Sequence, residues 1–418
     1  MKKNCFCFPK ASRRDLLRAG MYGIGVSAGS AFCLPLFGQA VAAKGQTDGR
    51  ILVVLELSGG NDGLNTLVPW GDDAYYRRRP TIGIPANEVR KIDDHFGFSR
   101  GMAGFERLYK DGKLAIVHGC GYENPSFSHF TSMAYWHTAA PNSGEQYGWV
   151  GRLADAMAPE APPNFLVDID PRQSLAVRSR RHVPVVFQDP NKFSREAFHD
   201  EREVFDAPPD APSGDQQITN QSRRYLLDIA RSARDASALV REAWSKYHSP
   251  VDYGLAGLDL PKVAALIEAG MPTRLYYTSY RNNAFDTHVF QNDTHKRLLT
   301  YASDAVSAFM QDLERIKRAD DVVVLIFSEF GRRVPENVNL GTDHGTANLM
   351  FVAGNQVKGG QYGKPPSLSQ LDAGDNLIYT TDFRRVYASI VEGWLGYRDT
   401  RDLLNGEFER FDMFSKRS

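Results

Sequence analysis

The sequence predicts an α/β protein: a doubly wound, mostly parallel sheet sandwiched by helices, with a helical insert. Two observations carry that expectation. Short runs of β-branched and other apolar residues recur along the chain and are apolar on both faces, as strands of a sheet covered on both sides must be. Helix-periodic stretches lie between them, the alternation that builds parallel sheets.

Taken in order, the strand candidates are ILVVLEL (51–57), KLAIVHGCG (113–121), RLYYTSY (274–280), DVVVLIFS (321–328) and NLMFVAG (348–354). The segment THKRLLTYASDAVSAFMQDLERIKRA (294–319) reads as one long amphipathic helix feeding straight into DVVVLIFS. RRVYASIVEGWLG (384–396) reads as a C-terminal helix with a Gly stop and Thr381 or Asp382 as N-cap. Between about 189 and 215 the chain is rich in Pro, Asp and Ser, most densely in DAPPDAPSGD (206–215), which marks a loop. Residues 217–247 then show an apolar period consistent with helix. The region of about 190–260 is therefore expected to be a loop and helical insert on a single domain spanning 44–418.

Composition narrows the class. The 418 residues are 42% apolar and 24% charged, with a formal net charge of zero, an ordinary globular balance. No basic run follows the N-terminal region, which argues against a nucleic-acid partner. Residues 1–43 have a basic start, the core SRRDLL (12–17), a soft apolar stretch and the ending AVAA (40–43). That is the layout of an export signal, and its paired arginines look like a twin-arginine signal read by the machinery that carries folded proteins. Processing near Ala42 or Ala43 is expected rather than an uncleaved anchor, because the apolar run is short and interrupted by Gly and Ser. The destination is periplasmic or secreted. Cys5, Cys7 and Cys33 fall in the signal and leave Cys120 alone, so neither an internal disulfide nor a cysteine metal site is expected.

In open α/β sheets ligands bind beyond the carboxyl ends of the strands. The polar residues there are Asn61 and Asp62 in LELSGGNDGLNT, and Asn124, Ser126, Ser128 and His129 in GCGYENPSFSHF. Asp286 and His288 stand in NAFDTH, Glu329, Arg332 and Arg333 in FSEFGRR, and Asp343 with His344 in GTDHG. Carboxylates and imidazoles without thiols are ligands for Zn, Mn, Mg or Ca. A pair of such ions about 4 Å apart can activate a nucleophile and clamp a transferring phosphoryl or sulfuryl group. Ser128 stands where a helix N-terminus is expected, which favours an anionic ester. Arg332 and Arg333 are candidates to hold its non-bridging oxygens. A dinucleotide loop is disfavoured, because GGNDG lacks the G-x-G-x-x-G order and its Asp would repel a pyrophosphate. A G-x-S-x-G nucleophile elbow is absent.

The motifs SRRDLLRAG, LVVLELSGGNDGLNTLVP, NPSFSHFTSMAYWHTA, FDTHVFQ and FSEFGRRVPENVNLGTDHGTANLMFVAGNQVKGGQYG resemble, in order and spacing, the exported domain-of-unknown-function family 1501. That family is similar to the alkaline phosphatase and sulfatase superfamily. The resemblance implies an alkaline phosphatase-like fold, with Asp62 binding one metal and Ser128 at the nucleophile position. It implies Asp286 and His288 at the other metal, Glu329 as a later-strand carboxylate and His344 as the last metal-binding His. Where the superfamily often has Asp-His this chain reads Glu329-Phe330, so one ligand is lost or supplied by His129 or Asp343. Ser126, Ser128 and Thr131 all remain open as nucleophile. The expected function is an exported metal-dependent hydrolase of small phosphate or sulfate esters, using one or two divalent ions. The alternative is a non-catalytic periplasmic binding or assembly protein on the same fold.

Overall fold

A computed structural model of the chain describes residues 49–193 and 234–415. The export signal and most of the expected insert lie outside the described residues. Of the helix read over 217–247, the described part is helical at 234–246, and its Ala236, Val240 and Ala243 are buried in the main core.

The strands are β1 (Ile51–Leu57), β2 (Leu67–Val68), β3 (Arg90–Lys91), β4 (Gly97–Phe98), β5 (Leu114–Gly121) and β6 (Leu166–Ile169). They continue with β7 (Val185–Val186), β8 (Leu275–Tyr280), β9 (Val322–Phe327), β10 (Asn348–Ala353), β11 (Gly360–Tyr362) and β12 (Thr381–Asp382). The main sheet runs β11-β5-β10-β9-β1-β8-β6-β7, with β12 beside β5, while β2, β4 and β3 form a small separate sheet. The central strand β1 is parallel to β8 on one side, pairing Leu52 with Leu275, and to β9 on the other, pairing Val53 with Val324. Every residue of β1, β5 and β9 is buried, including Glu56 and His118 within otherwise largely apolar runs.

Alternate residues of β1 face opposite layers. Ile51, Val53, Leu55 and Leu57 pack with the long helix Gln291–Arg315 and with helices Ala103–Lys110 and Leu260–Glu268. Leu52 and Val54 pack with helices His129–Thr138, Trp149–Met157 and the C-terminal helical segment from Arg384. The result is a mostly parallel sheet covered on both faces, the expected fold class.

One run differs in direction. NLMFVAG is β10, and it is antiparallel to both β5 and β9. Its amino end therefore lies on the same rim as the carboxyl ends of β5, β8 and β9. That reversal is why His344, which precedes its strand, meets residues that follow theirs. At the C-terminus, Arg384–Ala388 is α-helical and Ser389–Trp394 widens to a π-helix, closed by Leu395 N–H donating to Ile390 O at 2.9 Å. Thr381 and Asp382 belong to β12 and the N-cap is Phe383, one residue beyond the expected pair, although Asp382 Oδ1 accepts from Arg384 N at 2.9 Å.

Candidate metal centre

The loop after β1 sets the floor of the site. Gly59 (φ +118°) and Gly60 (φ +70°) turn the chain in a conformation that favours glycine. A Cβ on Gly59 would lie 2.5 Å from Asp286 N, and one on Gly60 2.2 Å from the Phe330 ring. Close packing on the neighbouring strand ends therefore requires both glycines. Gly59 N–H donates to both oxygens of Glu329, at 2.9 and 3.1 Å.

Asp62 is not brought to the metal-ligand cluster. It is fully buried, and its Oδ2 pairs with Arg79 Nη1 at 2.6 Å and accepts from Gln291 Nε2. Its Oδ1 accepts from Leu64 N at 3.1 Å and Asn65 N at 3.4 Å, capping a short 3₁₀ turn. Burial pushes its carboxyl up, but Arg79 and His295 more than offset this and hold it below the ordinary value. Each oxygen already has strong donors, which accounts for its separation from the cluster. His295 is also inward, 2.8 Å from Asn61 Oδ1.

The cluster is formed by His129, Asp286 and His344, whose donor atoms all lie within 4.8 Å of one another. His129 opens the helix after β5, Asp286 follows β8, and His344 precedes β10. His129 Nδ1 donates to the buried Glu329 Oε1 at 2.7 Å. The other ring nitrogen, Nε2, is buried without a hydrogen-bond partner and lies 3.4 Å from Asp286 Oδ2. His344 Nδ1 donates to Phe127 O at 2.8 Å, and its Nε2 lies 3.1 Å from Asp286 Oδ1. In their neutral forms both rings therefore aim a bare lone pair at an acceptor-only carboxylate. His288 flanks the group, with Nε2 2.9 Å from His344 Nε2 and 3.0 Å from Asp286 Oδ1. Arg332 Nη1, at 3.3 Å, is a competing donor to that His288 nitrogen.

Acceptors converging on acceptors need a proton or a cation between them. Donor atoms about 3 Å apart are also what bonds of ~2.0–2.2 Å to a shared ion produce. A histidine held from behind by a carboxylate or carbonyl is the usual arrangement of a metal-ligating imidazole. The residues thus fit a divalent ion held by His129, Asp286 and His344, with His288 beside them. Burial raises the Asp286 carboxyl, but the hydrogen bond and charge of the buried Arg332 guanidinium bring it down to about 2, so it is ionised at neutral pH. His129 is shifted up, chiefly by its bond to Glu329, and His344 is shifted down by burial.

The other expected site residues stand one step back. Glu329 orients His129 and also accepts from Ser328 Oγ at 3.0 Å. Asp343 does the same for His288, its Oδ1 lying 3.4 Å from Nδ1 while accepting from Asn337 Nδ2 at 3.1 Å. Arg332 is buried and donates to the carbonyls of Gly59, Gly60, Phe285 and Thr342. It also donates to Asp286 Oδ1 at 2.8 Å. With its donors committed it positions Asp286 rather than reaching a ligand, whereas Arg333 is exposed. Ser128 is the N-cap of the ten-residue helix that begins at His129; it is exposed, and its side chain makes no capping bond. Its neighbour Ser126 accepts from Ser128 N at 3.2 Å. Ser132, which the sequence did not single out, is buried and donates to Glu329 O at 2.6 Å, tying the helix to the strand end.

Fold and site together define a three-layer α/β protein with a candidate metal centre on the rim of its sheet. The chain belongs to DUF1501, a family described as protein of unknown function, whose sequence model matches residues 50–384. Among solved structures it is similar to a putative sulfatase from Bacteroides thetaiotaomicron, at 9% identity over 87% of this chain and 76% of that one, with a TM-score of 0.38. It is similar to a protein in the alkaline phosphatase superfamily from Vibrio parahaemolyticus, at 9% identity over 75% and 62% of the two chains, TM-score 0.35. It is also similar to the C-terminal periplasmic domain of EcEptC from Escherichia coli in complex with Zn, at 11% identity over 73% of each chain, TM-score 0.33. No curated protein sequence matches the chain. Among the described residues no helix is long and apolar enough to cross a membrane.

Proposed function

We propose that the chain is an exported metal-dependent hydrolase of phosphate or sulfate esters that uses one divalent ion. The observation that carries this is the buried, unpartnered His129 Nε2, held by Glu329 and aimed at Asp286. An imidazole-rich set of this kind suits Zn better than Mn, Mg or Ca. A bound ion would act as a Lewis acid on the ester oxygens. His129, Asp286 and His344 would hold it, while Glu329 and Arg332 fix the ligand rotamers. Ser128 presents its hydroxyl at a helix N-terminus, where free backbone N–H groups favour an anionic ester. Its Oγ forms the new bond to phosphorus or sulfur and passes its proton to water, and the ester's alcohol leaves with a proton taken from water. A second water then cleaves the seryl ester and restores the hydroxyl.

One observation favours a second reading, a periplasmic binding or assembly protein with a degenerate site. Asp62 is neutralised by Arg79, so the described residues offer one ligand group rather than two. The experiment is metal analysis of the purified chain after zinc loading, followed by release of 4-nitrophenol from its phosphate and sulfate esters. Zinc binding with hydrolysis abolished by Ser128→Ala supports the enzyme. Zinc binding without hydrolysis supports the second reading, and no zinc uptake sinks the enzyme.

A further inference from the structure

Apolar side chains that face solvent gather around the candidate centre. Phe127 and Phe130 bracket Ser128 and His129, and Phe130 is 90% exposed. Val289 and Phe290 follow His288, with Phe290 71% exposed. Val338 is 97% exposed in a loop tied to the same place: Asn337 Nδ2 donates to His288 O at 3.0 Å, and Phe290 N donates to Asn339 O at 3.0 Å. Phe127 itself is bonded through its carbonyl to His344. Three separate segments, each hydrogen-bonded into the cluster, thus raise apolar groups around one polar centre.

Scattered exposed apolar residues need no explanation, but a grouped set rimming a site does. Phe290 adds an independent sign. Its backbone is left-handed (φ +45°, ψ 51°), a conformation that disfavours a bulky residue and that Gly or Asn would adopt more readily. The fold holds an aromatic ring in solvent beside His288 despite that strain, and residues kept in sparsely populated conformations cluster at ligand sites.

We propose that the ligand of this centre is an amphiphile: an anionic phosphate or sulfate ester whose alcohol carries an alkyl or aryl chain. The ester would sit at His129, Asp286 and His344, and the chain would lie across Phe127, Phe130, Val289, Phe290 and Val338. This rests on the metal-centre reading above and specifies the substrate class for it.

The test compares octyl phosphate, kept below its aggregation concentration, with ethyl phosphate, both titrated calorimetrically into the zinc-loaded chain. Each methylene fully removed from water strengthens binding about fourfold, so partial burial of six more gives octyl phosphate an advantage of at least about tenfold. The Phe130→Ser/Phe290→Ser double variant should reduce that advantage to within about threefold while retaining its zinc content and melting temperature, because both side chains face solvent. Equal binding of the two phosphates overturns the proposal, as does an advantage that survives in the double variant. So does a dimer, seen by sedimentation velocity, that the double variant dissolves, since the collar would then cover a second copy. Failure of the metal-centre reading looks different: no zinc is retained, whatever the chain length of the ligand.

Discussion

Glu329 and Asp343 do the same work behind two different histidines, and this gives the site its most direct single-residue test. Outer-shell partners of a ligating imidazole fix its tautomer, and their loss costs about 10–100-fold in metal affinity. Glu329→Gln is expected to weaken zinc binding by that factor, measured by competition with a chromogenic chelator, because the amide can present its N–H₂ to His129 Nδ1 and reverse the tautomer. Asp62 gives the contrasting case. Asp62→Ala leaves Arg79 buried and uncompensated and should cost about 3–5 kcal/mol in chemical denaturation, while the folded fraction keeps its zinc affinity. Its sign with pH follows from the lowered carboxyl: the stabilisation is present above the ordinary carboxylate range and is lost as pH falls through the folded value. Loss of zinc binding by folded Asp62→Ala protein would return Asp62 to the ligand set. At this scale the sequence showed Asp286, His288 and His344 by their places at strand ends. It could not show Asp62's partner, because nothing distinguishes Arg79 from the arginines beside it in YYRRRP until the fold closes.

At the scale of elements, legibility followed the length of the apolar run. β1, β5, β8 and β9 were readable because runs of four to six consecutive apolar or β-branched residues open each of them and have few other homes. The direction of β10 was not, since an apolar run reports burial on both faces and says nothing of polarity. β6 was missed because LVDI is short and interrupted by a carboxylate. That carboxylate is itself informative. Asp168 is fully buried, with Oδ1 unpartnered and Oδ2 accepting from Ser174 N at 2.7 Å. Burial, with the charges of Asp170 and Glu56, holds its carboxyl well above the ordinary value. A raised carboxyl contributes its full stability below the unfolded pKa and loses it as pH rises toward the folded one. The near-isosteric Asp168→Asn has no such loss, so its stability relative to the parent should grow across that window by up to about 1.4 kcal/mol per pH unit. Urea unfolding at pH 5 and pH 8 checks this; a pH-independent difference would mean that Asp168 is ionised in the fold.

For the whole molecule, the number of ions decides between a complete two-metal site and the single centre the structure supports. The sheet delivers four imidazole or carboxylate groups to one point on its rim, His129, Asp286, His288 and His344, and turns Asp62 and Glu329 inward to hold the frame. Those inward groups tie the loop after β1 to Arg79 and to the long helix, so the frame does not require an ion in order to form. The chain should therefore fold without metal, and zinc should bind the folded form with one equivalent. Ligand that binds only the native state stabilises it by about 2.7 kcal/mol at a hundredfold excess over Kd. Adding zinc to chelator-treated protein should accordingly raise Tm by a few degrees, with saturation at one ion per chain and reversal by EDTA. His129→Ala should abolish the rise, and it should also lower the Tm of the metal-free protein, because it removes the Nδ1–H donor from the buried Glu329 carboxylate. Saturation at two equivalents would show a second ligand group and restore the two-metal arrangement. An apo chain that fails to fold would show instead that the ion, and not the Asp62–Arg79 pair, holds the rim together.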